Sequence, residues 1–169
     1  MEFPEVYEVF FARIYSYIRC RIGSDAAAED ISSSVFQKAL SRFGQYDPAR
    51  GNMAQWLFGI ARNEVNSYLR KAAVLKFLPL DLFGDIFSGE AGQDPGTADS
   101  GGDMAELVSA LGTLETRERD IITLKFYSEM TNREIAKVTG LSESNIGTIL
   151  YRCMAKLREK LTGESYDTP

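Results

Sequence analysis

The chain has 169 residues, of which 44% are hydrophobic and 25% charged, so it is long enough and apolar enough for one globular domain or two small ones. No apolar run approaches the ~20 residues of a membrane span, and the N-terminus lacks the features of a signal peptide, so we expect a cytoplasmic protein. Histidine is absent, which removes the usual general base and zinc ligand, and no phosphate loop or nucleophile elbow is present. The sequence therefore predicts no enzymatic activity, no cofactor and no metal site.

The net charge of −5 is distributed unevenly along the chain. Residues 77–103 contain six acidic and no basic residues, whereas residues 1–76 and 104–169 carry net charges of +2 and −1. Such flanking regions would bind duplex DNA poorly by electrostatics alone. A role on DNA would therefore need a partner that supplies most of the phosphate contacts.

The first predicted helix covers residues 3–22, because apolar residues recur there at helical spacing, and it ends at Gly23. Glutamate and arginine occupy the remaining positions, as expected for a helix with one solvated side. The predicted core residues of this helix are Tyr7, Phe10, Phe11, Ile14, Ile18 and Ile22.

The second predicted helix starts after Ser24 or Asp25 as the N-cap and runs to about Phe43. Phe36 and Gln37 fall outside its apolar stripe, so Phe36 is expected to point outward, towards a neighbouring helix or a protein partner. The predicted core residues are Ala28, Ile31, Val35, Ala39, Leu40 and Phe43.

The third predicted helix, about Met53–Lys76, follows a loop at residues 44–51, and Asn52 caps it in a capping box with Gln55. One side is apolar, with Leu57, Ile60, Ala61, Val65, Tyr68 and Leu69. The other side is polar, with Arg62, Asn63, Asn66, Arg70 and Lys71. Arginines and amides beside a loop with an aromatic residue, Tyr46, suit an unpaired DNA strand, although a polar helix face can also be merely solvated.

Residues 77–103 break the helical pattern and are predicted to be a linker with a flexible, acidic second half. Its apolar first half is expected to pack on one of the domains or on a partner.

A short helix at residues 104–114 follows, and Thr116 is predicted to cap the next helix, at residues 117–128, in which Tyr127 or Phe126 is buried. Residues 163–169 form a frayed tail.

Residues 131–161 predict two helices joined by a sharp turn. Thr131 and Glu134 can form a capping box, Gly140 can take the left-handed conformation at the bend, and Ser142 can cap the second helix. The apolar residues of the second helix are Ile146, Leu150, Met154 and Leu157. The pattern is typical of a helix-turn-helix that reads DNA, and also of an ordinary helical hairpin.

The two cysteines, Cys20 and Cys153, lie far apart in the sequence and form no CxxC motif. Two lone thiols in a chain expected in the cytoplasm are most simply small buried apolar residues. We therefore expect no disulfide.

Three blocks of the N-terminal part carry a resemblance to a known family: AEDISSSVFQKAL at residues 28–40, YDPARG at 46–51 and WLFGIARN at 56–63. They resemble region two of the extracytoplasmic-function (ECF) sigma factors, and residues 114–161 resemble region four of the same family. The resemblance implies an all-α protein of two small helical domains joined by a flexible acidic linker, the C-terminal domain being a helix-turn-helix. It places region two at residues 1–76, the linker at 77–103, region four at 104–162 and the tail at 163–169.

The resemblance further implies a bacterial alternative sigma factor that directs promoter recognition, DNA melting and transcription initiation. Its implied partners are core RNA polymerase, promoter DNA and, as in many relatives, an anti-sigma factor. The matching positions for polymerase binding are Glu29, Asp30, Ser33, Phe36 and Gln37. Those for the minus-ten element are Tyr46, Asn52, Arg62, Asn63 and Asn66. Those for the minus-thirty-five element are Arg133, Ser144, Asn145, Thr148, Arg152 and Lys156.

The sequence departs from the family at Ser34, where an acidic residue is frequent, and at Gly147 and Ile149, where basic residues are usual. Losing two cations should weaken phosphate binding, so the promoter sequence or the strength of minus-thirty-five binding should be unusual. Two alternatives stay open. One is a stand-alone helix-turn-helix regulator, which would need dimerisation and two half-sites. The other is a sigma-like protein-interaction module that does not read DNA, which the near-neutral recognition helix leaves open.

Overall fold

The computed structural model describes residues 2–76 and 102–162, and all regular structure within these two stretches is helical. The all-α class predicted from the sequence is therefore confirmed. The predicted tail and nearly all of the predicted linker lie outside the described residues. The helices are α1 (Phe3–Ile22), α2 (Asp25–Ser41), a 3-10 turn (Phe43–Gln45), α3 (Met53–Lys76), α4 (Gly102–Gly112), α5 (Thr116–Ser128), α6 (Asn132–Thr139) and α7 (Glu143–Thr162).

The helix ends of the N-terminal half, residues 2–76, follow from local capping chemistry. Gly23 ends α1 with φ 81°, a conformation that glycine adopts without strain. Ser24 caps α2, since its hydroxyl accepts a bond of 3.4 Å from the Ala27 amide. Asn52 and Gln55 form the predicted reciprocal box at the start of α3, with bonds of 2.9 and 3.0 Å. The predicted start of each helix is thus confirmed.

The C-terminal half, residues 102–162, forms the predicted pair of helices α6 and α7 with their caps. The Thr131 hydroxyl accepts from the Glu134 amide at 3.2 Å, and the Glu134 carboxylate accepts from the Thr131 amide at 2.8 Å. Gly140 takes φ 76° at the bend, and the Ser142 hydroxyl accepts from the Asn145 amide at 3.2 Å. These bonds fix where one helix ends and the next begins.

Two predicted boundaries in the C-terminal half were wrong. The helix α4 spans Gly102–Gly112 rather than residues 104–114. The N-cap of α5 is Glu115 rather than Thr116, because Glu115 and Glu118 form the reciprocal box themselves. A glutamate is an unusual cap, which explains why the residue types alone favoured the threonine.

The two halves share a core. Buried residues of α1–α3 form one continuous cluster with Ile121 and Leu124 of α5, Ile135 of α6 and Ile146 of α7. A second cluster joins Cys20 of α1 to buried residues of α4, α5 and α7. Burial of apolar surface across this boundary stabilises an arrangement in which α1 packs on α5 and α3 packs on α5 and α6, which we call the closed arrangement.

The predicted burial of the aromatic residues on α1 and α2 was partly wrong. Phe36 is buried, with 5% of its surface exposed, and its ring packs on the exposed rings of Tyr7 and Phe11. The helix α2 contacts both α1 and α3, so it buries a wider face than a single stripe. Leu40 was predicted in the core but is 58% exposed. At this end of α2, the residues that pack into the core are Ala39 and the partly buried Phe43.

Three further apolar residues are more exposed than the helical spacing suggested: Tyr68, Met154 and Phe126. Of the two aromatics at the end of α5, Tyr127 is the one turned inward, since its hydroxyl lies 3.4 Å from the Cys20 sulfur. Helical spacing shows on which side of a helix a residue lies. It does not show how much of that side a neighbouring helix buries.

Both cysteines are buried free thiols, as predicted. Burial raises the pKa of Cys20, and it raises the pKa of Cys153 to about 11. The thiols are therefore protonated at neutral pH and behave as small apolar residues.

Gly147 has no packing reason to be glycine, because a Cβ there would meet only Asn132 Nδ2, at 3.9 Å. We expect Gly147→Ala to raise the free energy of unfolding by about 0.5–1 kcal/mol, since alanine loses less backbone entropy within a helix. The matched control is Gly140→Ala, which should lower it by about 1 kcal/mol because that residue has φ 76°. Urea unfolding checks both, and a destabilised Gly147→Ala would contradict the prediction.

Candidate nucleic-acid interface

The polar face of α3 does not lie open to solvent along its whole length. Arg62 points towards the C-terminal half, where its Nε donates to Asp120 Oδ2 at 2.7 Å and its Nη1 reaches the Val138 carbonyl at 3.5 Å. Asn66 lies one turn further along, and its Oδ1 accepts from Arg21 Nη2 at 3.1 Å. Two of the predicted minus-ten residues are therefore engaged by protein groups in the closed arrangement.

Asp120 of α5 is the centre of this buried polar cluster. Its Oδ1 accepts from the Arg21 guanidinium and from the Tyr17 hydroxyl at 3.1 Å, and its Oδ2 accepts from Arg62. All three partners belong to the N-terminal half. Burial raises the pKa of the Tyr17 phenol, so the hydroxyl stays protonated and donates.

Burial makes the Asp120 cluster energetically consequential. Asp120 is 5% exposed and Arg21 is 3% exposed, so water cannot replace a lost partner. Removing one member of such a buried pair costs about 3–5 kcal/mol, because the remaining charge is left uncompensated. The cluster therefore makes one relative placement of the two halves specific. Sequence patterns did not predict this cluster, since Asp120 and Arg21 are 99 residues apart.

The loop that precedes α3 also touches the C-terminal half. Asn52 Nδ2 donates to Glu134 Oε1 at 2.9 Å, so a third predicted minus-ten residue is engaged. Bonds from the Thr131 backbone and hydroxyl, together with this amide, hold the pKa of Glu134 below its usual value. Glu134 thus remains an anion that accepts from Thr131 and Asn52 at once.

The remaining minus-ten residues, Tyr46 and Asn63, lie outside these contacts. Asn63 is exposed on α3. The Tyr46 ring lies 5.4 Å from the Trp56 ring, and its hydroxyl donates to the Gly51 carbonyl at 3.2 Å. Both rings line a groove of about 460 Å³ whose other walls include Arg42, Gln45, Asp47, Arg50, Gln55, Lys137 and Val138. Aromatic rings beside guanidinium groups suit the stacking of a base and the binding of its phosphate.

Helix α7 presents the predicted groove-facing residues to solvent. Ser144, Asn145, Thr148 and Arg152 are all exposed, and so is Arg133 on α6. Lys156 differs, because its ammonium is paired with both oxygens of Glu118 at 2.7 and 2.9 Å. That hydrogen bond lowers the pKa of Glu118 and raises that of Lys156.

Tyr151 on α7 is a candidate contact that the sequence reasoning missed. It is 70% exposed and lies one turn beyond Thr148, on the same side of the helix. An exposed aromatic three residues after a predicted groove residue could have been noticed from helical spacing. Its ring can contact bases or the sugar–phosphate backbone.

The exposed face of α2 carries most of the predicted polymerase-binding residues. Glu29, Asp30, Ser33 and Gln37 are exposed, whereas Phe36 is buried. The rings of Tyr7, Phe11 and Tyr15 on α1 continue this surface as a stacked row, with centroid separations of 5.0 and 6.2 Å.

Within the described residues, no group of histidine, cysteine and carboxylate side chains could hold a metal ion. In the same residues, no helix is both long and apolar enough to cross a membrane.

Two family profiles match the chain: sigma-70 region 2 over residues 6–74 and sigma-70, region 4 over residues 104–157. Among curated proteins, the ECF RNA polymerase sigma factor RpoE of Cereibacter sphaeroides is 30% identical, over 95% of this chain and 86% of its own. SigM of Bacillus subtilis, also an ECF sigma factor, is 26% identical over 94% of each chain. The ECF sigma factor BldN of Streptomyces coelicolor is 28% identical over 96% of this chain. The matched part is only 61% of the length of BldN.

Two solved structures share the fold. The sigma factor RpoE in complex with the anti-sigma factor NepR from Bartonella quintana superposes with a TM-score of 0.75 at 22% identity, covering 95% of this chain and 96% of that one. The structure of CnrH in complex with the cytosolic domain of CnrY gives 0.68 at 22% identity, covering 96% and 89%. At this identity the likeness is one of fold.

Proposed function

Because the chain belongs to the ECF sigma factors of RNA polymerase, we propose that it binds core polymerase and directs it to a set of promoters. The single observation that carries the proposal is that both sigma-70 regions match in order, at residues 6–74 and 104–157. Sigma factors are subunits of a transcription machine and not catalysts themselves, so we infer no enzymatic activity for this chain. We also infer that it acts in the cytoplasm, where its polymerase and its DNA are.

We propose that α3 and the loop before it hold the unpaired strand of the minus-ten element. Tyr46 and Trp56 offer faces for stacking, Asn63 offers an amide for a base edge, and Arg62 offers a guanidinium for a phosphate. These groups lie on the loop before α3 and along the first half of that helix. The assigned residues also include Asn52, which precedes the helix, and Asn66, near its middle.

We propose that α7 lies in the major groove of the minus-thirty-five element. Its exposed side carries Ser144, Asn145, Thr148 and Arg152, and Arg133 stands beside it on α6. Lys156 can reach a phosphate only by leaving Glu118. With few free cations near the groove, binding by the C-terminal half alone should be weak, and the polymerase must supply the rest.

We propose that the polymerase-binding surface includes both the exposed residues of α2 and the aromatic row of α1. The buried ring of Phe36 packs against the rings of Tyr7 and Phe11 and so holds them in place on this surface. Tyr7 and Phe11 of the row are exposed, whereas Tyr15 is partly buried and lies beside Asp25. Exposed aromatic residues are enriched in protein interfaces. An anti-sigma factor is a further partner that we propose from the relatives solved in such complexes.

Run-off transcription with purified core polymerase and genomic fragments tests the proposal. Promoter-specific transcripts that depend on this chain are the expected result. Tight binding of a free dimer to duplex DNA without polymerase would instead identify a stand-alone regulator. No specific transcript, together with no affinity for core polymerase, would refute the proposal.

We expect Arg152→Ala to weaken binding of the minus-thirty-five duplex by about tenfold, because a base or phosphate contact of arginine contributes about 1–3 kcal/mol. The matched control is Arg117→Ala, which removes an exposed arginine at the start of α5 that is not among the residues assigned to the minus-thirty-five element. Footprinting of the polymerase complex over a range of salt concentrations measures both. An unchanged footprint for Arg152→Ala would remove this residue from the interface.

A further inference from the structure

The exposed side of the first turns of α7 is poor in charge. Arg152 is the only basic residue among residues 143–155, and Glu143 is the only acidic one. Gly147 and Ile149 stand at positions where basic residues are usual in the family. A guanine is read most often by an arginine or lysine that donates to its O6 and N7. Within these residues, α7 can make that contact from Arg152 alone.

Thr148 offers a methyl group to a DNA groove. Its hydroxyl donates to the Ser144 carbonyl at 3.1 Å, one turn back along the helix, and the residue is exposed. Because the hydroxyl proton is used inside the helix, the oxygen can only accept from a base. The other surface that this side chain offers is its γ-methyl group. Threonine methyl groups pack on the 5-methyl group of thymine.

The Tyr151 ring lies beside Thr148 on the same exposed side of α7. The two residues are three positions apart, and 70% of the tyrosine surface is exposed. Long side chains on a helix lean towards its N-terminus, which for Tyr151 is the turn of Gly147 and Thr148. A Cβ at Gly147 would meet only Asn132 Nδ2, at 3.9 Å, so the ring has free space there. The methyl group and the ring are thus neighbours on one apolar surface, which we call the methyl–ring surface.

We propose that α7 reads the minus-thirty-five duplex through thymine methyl groups, which pack on the methyl–ring surface, rather than through guanines. This inference rests on the proposed function, since it concerns the same recognition helix, and it goes further by naming the base that the helix selects. Asn145, also exposed and three residues before Thr148, suits an adenine through its N6 and N7. The selected element is therefore rich in A·T pairs, each of which carries one thymine methyl group in the major groove.

Replacing single thymines by deoxyuridine tests the inference, because this change removes the 5-methyl group and keeps the base pair. The duplex is first selected from a randomised library by the full chain bound to core polymerase and, in a second arm, by the full chain alone. The selected duplexes should be rich in A·T pairs. At each contacted thymine, deoxyuridine should weaken binding about fourfold, as expected for the loss of one methyl group from an apolar contact.

Two substitutions remove the protein side of the same contacts. Thr148→Ser loses the γ-methyl group and keeps the hydroxyl that donates to Ser144. Its affinity for the selected duplex should fall about fourfold, and deoxyuridine at the thymine that contacts residue 148 should then have no further effect. Tyr151→Ala should abolish the deoxyuridine effect at a neighbouring thymine. Tyr151→Phe, which keeps the ring, should retain that effect.

Arg152→Ala is the matched control, because it removes a charged contact from the same helix and leaves the methyl–ring surface intact. It should weaken binding to the thymine and deoxyuridine duplexes equally, and its effect should shrink as the salt concentration rises. The ratio of the two affinities in the wild type should not depend on salt, since a methyl contact involves no charge. Circular dichroism verifies the helix content of each variant.

The outcomes separate this inference from the proposed function. Equal affinities for thymine and deoxyuridine duplexes, with normal run-off transcription, would overturn the inference alone. A deoxyuridine effect that persists in both Thr148→Ser and Tyr151→Ala would also overturn it, because the methyl group would then act through DNA shape. So would failure to select any specific duplex in either arm. Methyl-dependent binding by the full chain without any transcript would support this readout and refute the proposed function.

Discussion

Phe58→Ala should lower the free energy of unfolding by about 3–5 kcal/mol, because it leaves a cavity in the middle of the shared core. The ring of Phe58 is fully buried, meets the Tyr17 ring edge-on at 5.5 Å and lies 5.9 Å from the Arg13 guanidinium. A loss of this size is a large fraction of the total stability of a small protein. Thermal and urea unfolding followed by circular dichroism measure the effect.

Phe126→Ala is the matched control for this prediction. The substitution is the same, but Phe126 is 62% exposed on α5, so the change in stability should stay within about 0.5 kcal/mol. Equal losses in the two variants would show that the side chain of Phe58 does not contribute as a core residue.

Asn63→Ala should reduce the formation of the open promoter complex by at least about tenfold, because one amide contact to a base edge contributes about 1–3 kcal/mol. Asn63 is exposed on α3 and lies outside the Asp120 cluster, so its removal should leave the closed arrangement and the stability unchanged. Permanganate reactivity of unpaired thymines measures opening, and a fluorescence competition assay measures the affinity for core polymerase. That affinity should not change.

Phe11→Ala provides the opposite pattern as a control. It shortens the aromatic row on α1, so it should lower the affinity for core polymerase while leaving opening intact once the complex is saturated. If Asn63→Ala lost polymerase affinity and kept normal opening, Asn63 would belong to the polymerase surface instead.

Much of the fold could be predicted because it depends on neighbours in the sequence. The capping pairs Thr131–Glu134 and Asn52–Gln55 are three residues apart, and the bend at Gly140 follows from one backbone angle. Local chemistry of this kind can be recognised in the residue types alone. The same holds for the exposed positions on α7, which follow from helical spacing.

The remaining burial and polar contacts depend on which helices pack against each other. Residue spacing within one helix does not show this packing. Phe36 was expected to point outward because spacing could not show that α1 and α3 cover α2 on two sides. Asp120 drew no attention as one carboxylate among many, although Arg21, Arg62 and Tyr17 surround it. The site residues assigned by resemblance stay predictions, since neither geometry nor likeness of fold measures a contact with DNA.

The core that α1 shares with α5 bears on how the protein melts. Trp56, the single tryptophan, sits in the N-terminal half, whereas Cys20 of that same half is embedded among side chains of α4, α5 and α7. We therefore expect heat to unfold both halves in one cooperative transition, so that the fluorescence of this indole also follows the loss of the C-terminal helices. In a cell under thermal stress, a substitution that destabilises either half would therefore lower the amount of intact sigma factor as a whole.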